Sequence, residues 1–111
     1  MNIIETPIKD LLIIEPDIFK DHRGYFIESY NENKFFDLGI TNHFVQDNES
    51  QSTFGVVRGL HYQIGEYAQA KLVRVVKGKV FDVAVDLRKN SQTFGKWYGI
   101  ELSEEQKNMF F

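Results

Sequence analysis

Cysteine is absent from this 111-residue sequence, and basic residues are too few to outweigh the acidic ones. The lack of cysteine excludes disulfides, thiolate nucleophiles and cysteine-ligated metals. With 13 Lys and Arg against 16 Asp and Glu, the net charge of −3 does not favour non-specific nucleic-acid binding. No apolar run approaches the roughly 18 residues of a membrane span, and the N-terminal MNIIETPIKD lacks the basic and apolar regions of a signal peptide. We therefore expect a cytoplasmic protein with no nucleic-acid or membrane partner.

Motifs for metals, phosphate loops and serine nucleophiles are also missing. The histidines, His22, His43 and His61, form no His-x-His pair, and no carboxylate stands at a metal-ligand spacing from His61. Neither a GxxxxGK[ST] phosphate loop nor a G-x-S-x-G nucleophile elbow occurs. A transition-metal site therefore has weak support from the sequence, and neither a phosphate loop nor a serine nucleophile is expected.

What the sequence does contain is typical of one globular domain rich in β-structure. Hydrophobic residues make up 42% and charged residues 26%, a composition that suits a single domain over residues 1–111. Short β-branched and aromatic runs are separated by turn residues at roughly ten-residue spacing, which predicts an all-β antiparallel sandwich or barrel with short helical turns. Residues 31–40 are predicted to form a helical turn between an Asn31 cap and Gly39.

Three strand predictions are more specific. Residues 70–88, AKLVRVVKGKVFDVAVDLR, contain two β-branched runs around Lys77-Gly78 and predict a hairpin. Residues 55–63 predict a strand that contains Gly59. The terminal NMFF predicts an apolar strand that pairs onward with another strand, so we expect the 111 residues to be part of a longer domain.

Several polar residues stand inside these apolar runs, where an unpaired charge is costly. Arg58 and His61 would point to opposite faces of a regular strand unless the chain bends at Gly59. Taken alone, Arg58 is equally well explained as a surface residue, and His61 as a hydrogen-bonded structural histidine. Lys71 and Asp82 are most simply an ion pair or two exposed positions, and Gln46, Asp47 and Asn48 are most simply a turn.

Together, these segments resemble a known enzyme family. FKDHRGYFIE, FVQDNESQS, GVVRGLHYQ, QAKLVRVVKGKVFDVAVDLR and SQTFGKW follow one another in the order seen in the N-terminal part of the dTDP-4-dehydrorhamnose 3,5-epimerase family. The resemblance runs almost continuously from about Phe19 to Ser103. It implies a cupin-type β jelly roll, a homodimer with exchanged strands and shared sites, and no metal or redox cofactor.

The resemblance also implies a reaction and a set of site residues. The substrate is a dTDP-linked 4-keto-6-deoxy sugar, as in rhamnose biosynthesis, from which a proton at C3 and C5 is removed and then replaced on the opposite face. His61 corresponds to the base, a role that suits histidine, and Lys71 to the cation that stabilises the enolate oxygen. Arg23 and Arg58 correspond to diphosphate-binding residues. The remaining substrate-binding candidates are Phe26 beside the thymine, Glu28, Gln46, Asp47, Asn48 and the pocket acid Asp82, with Arg23, Phe26 and Glu28 supplied by the neighbouring subunit.

The resemblance stops before the end of the family pattern. A PxGFAHGF-like strand, a tyrosine that acts as the acid and an aspartate that orients the base histidine have no counterpart, so the domain is expected to lack the family's C-terminal portion. Two alternatives to the 3,5-epimerase therefore stay open. One is a 3-epimerase or ketoisomerase of the same superfamily, and the other is a non-catalytic module that binds nucleotide sugars.

Overall fold

The computed structural model describes residues 1–111, which form eight antiparallel strands and one α-helix. The strands are β1 (Asn2–Glu5), β2 (Leu12–Glu15), β3 (Ile18–Asp21), β4 (Gly24–Ile27), β5 (Val73–Arg74), β6 (Lys79–Val85), β7 (Trp97–Ser103) and β8 (Met109–Phe110). The helix α1 spans Glu32–Asp37, and a single 3₁₀ turn spans Gly65–Tyr67. The predicted all-β antiparallel class with short helical turns is confirmed.

The strands form three sheets of unequal size. The largest has the order β1-β2-β8-β5, whereas β3 pairs only with β4 and β6 only with β7. The β6–β7 ladder is the longest, running from Lys79 opposite Ser103 to Val85 opposite Trp97. A short strand buries little apolar surface by itself, so the stability of the fold depends on the packing of these sheets against one another.

Strands β2 and β8 place apolar side chains on both faces of the largest sheet. Ile14 and its ladder partner Met109 pack with Phe35 and Ile40 on one face. Ile13 and its partner Phe110 pack with Leu102 of β7 on the other face. Successive strand residues point to opposite sides, so the continuous apolar run LLII fits a strand that is covered twice. Helix α1 covers one face and the β6–β7 ladder covers the other.

Helix α1 begins and ends where the sequence predicts. Asn31 is the N-cap in extended conformation, and its Oδ1 accepts a hydrogen bond from the backbone N–H of Lys34 at 3.2 Å. Gly39 follows the helix with a φ of 87°, a left-handed conformation that glycine adopts without the Cβ penalty. Phe35 is fully buried and anchors the helix on the sheet. None of the helical segments has the length and apolar character needed to cross a membrane.

The predicted hairpin over residues 70–88 is wrong in its pairing. The chain does turn at Gly78, whose φ is 78°. However, β5 pairs with β8, and β6 pairs with β7, so the two apolar runs belong to different sheets. Both runs still contribute to one core, because Val73, Val75 and Ala84 pack against the same buried cluster. Alternation and a turn residue predict two strands, but the partner of each strand depends on contacts distant in sequence.

Of two further strand predictions, one is wrong and one is confirmed. Residues 55–63 form no strand, since the backbone between α1 and β5 makes no ladder with any neighbour. The C-terminal β8 is a strand as predicted, and it lies between β2 and β5 and pairs with both. Met109 and Phe110 are buried within this sheet.

Candidate functional site

The residues proposed for the site lie on three parts of the fold. The first part is the β3–β4 hairpin and the residue after it, with Arg23, Phe26 and Glu28. The second is the irregular segment 41–72, with Gln46, Asp47, Asn48, Arg58, His61 and Lys71. The third is the half-buried β6, with Asp82. All of the residues from 45 to 71 are exposed, so most of the candidates stand on an open surface.

Arg23 is held at the tip of the hairpin by its neighbour in the turn. Its backbone N–H donates to Asp21 Oδ1 at 2.8 Å, and its guanidinium Nη2 lies 2.6 Å from Asp21 Oδ2. The hydrogen bonds from Arg23 lower the pKa of Asp21 from its ordinary value. The pairing leaves the Arg23 side chain 79% exposed, so the guanidinium is oriented while it remains accessible. Asp21 was not predicted, although two-residue spacing in a turn is a signal for such a pair.

Phe26 and Glu28 continue from the same hairpin. Phe26 lies opposite Phe19 in the ladder, with ring centroids 6.5 Å apart, and is 67% exposed. An exposed aromatic face of this kind is suited to stacking. Glu28 Oε1 lies 2.6 Å from Lys34 Nζ, and this ion pair is the main reason that the pKa of Glu28 is lowered.

In the irregular segment, two candidates are oriented by local hydrogen bonds. Gln46 Nε2 donates to Asn48 Oδ1 at 3.0 Å, across the intervening Asp47. This contact agrees with the simple interpretation of these residues as a turn. Arg58 Nε donates to Ser52 Oγ at 3.0 Å, a partner that the sequence did not reveal. The single bond to Ser52 leaves the other guanidinium nitrogens of Arg58 free of partners within the chain.

The backbone before His61 is bent as the sequence analysis required. Gly59 has a φ of 104°, which L-residues with side chains rarely adopt. A Cβ at Gly59 would lie 3.1 Å from His61 Nδ1, so the imidazole folds back over the glycine. His61 itself is exposed and has neither a hydrogen bond nor an ion pair within the chain. The strict alternation of a regular strand therefore does not separate Arg58 from His61.

Lys71 and Asp82 do not form the simple pair that their sequence context suggested. No ion pair joins them, and Lys71 is exposed just before β5. Asp82 is half-buried in β6 opposite Ile100, and Ile100 packs against the buried cluster around Leu102. Burial raises the pKa of Asp82, because removal from water disfavours the charged form. An unpaired carboxylate in such surroundings is a feature of functional sites.

The most elaborate polar cluster was missed by the sequence analysis. Asp86 follows β6, and its side chain is only 1% exposed. It accepts hydrogen bonds from Arg88 Nε at 2.9 Å, Ser91 Oγ at 2.6 Å and Thr93 Oγ1 at 2.7 Å. These donors hold the pKa of Asp86 far below its usual range. Arg88 also donates to the Lys9 carbonyl at 2.9 Å, so the cluster ties the β6–β7 loop to the turn before β2. The D-x-R-x-x-S-x-T spacing of residues 86–93 is the sequence signal that could have indicated this cluster.

Two cavities of the structure are lined by none of the proposed residues. One, of about 40 Å³, is lined by Tyr25, Ile27, Arg74, Val75, Val76 and Lys107. The other, of about 240 Å³, lies between residues 8–11 and 84–88. No group of three or more His, Asp or Glu side chains is arranged to hold a metal ion. Apart from the half-buried Glu28 and Asp82, the candidate side chains are exposed on the surface of the chain.

The fold and the candidate residues together indicate a structural class of protein. The class is an all-β antiparallel protein of the cupin type that carries exposed arginine, histidine and aromatic side chains and a half-buried carboxylate. The model of the dTDP-4-dehydrorhamnose 3,5-epimerase family matches residues 5–111. This chain belongs to that family.

Individual relatives agree with this assignment. A dTDP-4-dehydrorhamnose 3,5-epimerase of Shigella flexneri is 58% identical over 112 residues, which cover 100% of this chain and 62% of the relative. The crystal structure of the epimerase from Elizabethkingia anophelis NUHP1 has a TM-score of 0.92 and 61% identity, covering 99% of this chain and 61% of that one. The Legionella pneumophila Philadelphia 1 enzyme RmlC, in complex with dTDP-4-keto-L-rhamnose, has a TM-score of 0.93 and 55% identity, covering 98% and 58%. This chain thus spans about three-fifths of the length of the proteins it matches.

Proposed function

We propose that this chain is the epimerase of a dTDP-4-keto-6-deoxy sugar, acting at C3 and C5 in deoxysugar biosynthesis. The observation that carries the proposal is the family match over residues 5–111, which includes every candidate residue. The complex of the Legionella relative with dTDP-4-keto-L-rhamnose supports the substrate class. We also propose that residues 1–111 fold as one domain.

The mechanism assigns His61 and Lys71 to the chemistry. A hydrogen on carbon next to a ketone is weakly acidic, and a neutral imidazole at His61 would remove it as a general base. The electron pair of the broken C–H bond then moves to the former ketone oxygen, where the Lys71 ammonium would stabilise the negative charge. The carbon would regain a proton on the opposite face from an acid, whose family counterpart, a tyrosine, is not matched in residues 1–111. The exposure of both residues leaves them accessible to a substrate that lies over the segment 58–71.

The remaining candidates are assigned to the nucleotide and the sugar. Arg23 and Arg58 would bind the diphosphate, since a guanidinium donates two parallel hydrogen bonds to phosphate oxygens. Phe26 would stack against the thymine, and Glu28, Gln46, Asp47 and Asn48 would accept or donate hydrogen bonds around it. Asp82 would lie next to the sugar as a pocket acid. No resident cofactor is required, because the ketone of the substrate itself makes the proton acidic.

We further propose a homodimer in which the β3–β4 hairpin completes the site of the neighbouring subunit. The exposed aromatic pair Phe19 and Phe26 on one face of the hairpin, and the exposed Tyr25 on the other, support this arrangement. A cytoplasmic location follows from the proposed substrate, since nucleoside diphosphate sugars are made there.

Deuterium exchange tests the reaction. The purified protein is incubated with the 4-keto sugar nucleotide in heavy water, and NMR follows deuterium at C3 and C5. Exchange at both carbons is expected. Exchange at one carbon would instead support a 3-epimerase, and binding of a thymidine nucleotide without exchange would support the non-catalytic module.

His61→Asn tests the base. We expect exchange to fall by about 10²–10⁴-fold, the usual contribution of a general base, while binding of the thymidine nucleotide changes little. His22→Asn, at an exposed hairpin position, serves as the matched control and should exchange normally. Equal exchange rates in the two variants would remove His61 from the mechanism.

A further inference from the structure

The Glu28 carboxylate contacts two residues at the N-terminal end of helix α1. Its Oε1 lies 2.6 Å from Lys34 Nζ, and its Oε2 accepts a long hydrogen bond of 3.5 Å from Asn31 Nδ2. Asn31 is the N-cap of α1, and its Oδ1 accepts from the Lys34 backbone N–H at 3.2 Å. The three residues thus form a closed ring of contacts in which each touches the other two.

The ring is anchored in the core and not only on the surface. Lys34 directly precedes Phe35, which is fully buried with Ile14, Ile40 and Met109. Tyr30, just before the N-cap, packs edge-on against Phe35 with ring centroids 4.9 Å apart. These contacts fix the backbone on either side of Asn31. The Lys34 ammonium therefore reaches Glu28 from a helix that is anchored on the core. The Glu28 side chain is 38% exposed, so part of it remains accessible to solvent.

The same helix also leads into a second group of candidates. Phe44 packs edge-on against both Tyr30 and Phe35, at centroid distances of 5.4 Å and 6.3 Å. It is the last partly buried residue before the exposed segment that contains Gln46, Asp47 and Asn48. Helix α1 therefore determines where the Glu28 carboxylate and the start of this segment lie.

We propose that Lys34 is a positioning residue for nucleotide binding, which holds the Glu28 carboxylate in one orientation through the ring with Asn31. The inference rests on the proposed function, because it assumes that Glu28 contacts the nucleotide sugar. Lys34 itself does not touch the substrate in this scheme. Its ion pair also lowers the pKa of Glu28, so the group remains an acceptor for N–H or O–H donors of the ligand.

A double-mutant cycle on thymidine diphosphate binding tests the inference. Lys34→Met removes the ammonium and keeps the length of the side chain, and we expect about fivefold weaker binding by calorimetry, within the range of couplings between contacting residues. Lys34→Arg should restore most of the affinity. Lys89→Met, at an exposed position without an ion pair, is the matched control and should bind normally.

The second arm of the cycle separates positioning from a stabilising role. Lys34→Met in a Glu28→Gln background should weaken binding no further than Glu28→Gln alone, because the carboxylate that Lys34 holds is already lost. Additive losses, or normal affinity in Lys34→Met, would overturn the inference. Normal affinity in Glu28→Gln and Arg58→Gln together would instead overturn the proposed function at this site, and the inference with it.

Discussion

Two aspartates four residues apart on the β6 segment have opposite surroundings. Asp86 is almost completely buried and accepts hydrogen bonds from Arg88, Ser91 and Thr93. Asp82 is half-buried on the same face of the strand and has no cationic partner. The pKa is lowered at Asp86 and raised at Asp82. The Asp86 carboxylate stabilises the fold. The unpaired, half-buried Asp82 carboxylate lowers stability, and a role in a binding site would explain its presence.

Removal of the Asp86 charge should have the largest effect. In Asp86→Asn, an amide NH₂ would face donors that need an acceptor, so buried polar groups would lose their partners. We expect the melting temperature to fall on the order of 10 °C, measured by circular dichroism. Asp10→Asn, which removes only the exposed partner of Arg88 at 3.2 Å, is the matched control and should change little. Equal effects would mean that the buried cluster is not a source of stability.

In an acid titration, Asp86 and Asp82 should change the free energy of unfolding in opposite directions. The folded-state pKa of Asp86 is lowered, so its contribution to stability is complete above the unfolded pKa, about 3.9, and is lost as the pH falls below it. The stability of Asp86→Asn should therefore depend less on pH between about 2 and 4 than that of the parent protein. Urea unfolding at a series of pH values measures this, and parallel curves would contradict the assignment.

Asp82→Asn should have the smallest effect on stability and the opposite sign. Because burial raises the pKa of Asp82, the charged form is disfavoured at neutral pH, and a neutral amide should raise the melting temperature by about 1–3 °C after allowance for solvent screening. The gain should shrink as the pH falls through the raised pKa, where the parent carboxyl takes up its proton. If Asp82 belongs to the site, deuterium exchange should fall in the same variant. Lower stability with unchanged exchange would make Asp82 a structural residue.

The parts of the molecule also differ in how well the sequence predicts them. The cap at Asn31 and the glycine turns at Gly39 and Gly78 followed from side-chain chemistry within a few residues. The bend at Gly59 was foreseen as a condition for bringing Arg58 and His61 to one side. In contrast, the pairing of β5 with β8, the place of β8 inside its sheet and the Asp86 cluster were not foreseen. Each of these joins segments that are far apart in the chain, or depends on what covers them.

The amino-acid sequence by itself determined the β-rich class, the turn positions, the helix cap and the family, because backbone preferences and motif order are properties of neighbouring residues. Only the tertiary structure decided which strands pair, which face of β6 is covered, and that Glu28 is held by Lys34. Strand pairing and burial depend on how all segments of the chain pack into one core. The pKa of a carboxylate depends on the water and the charges that surround it in the folded protein.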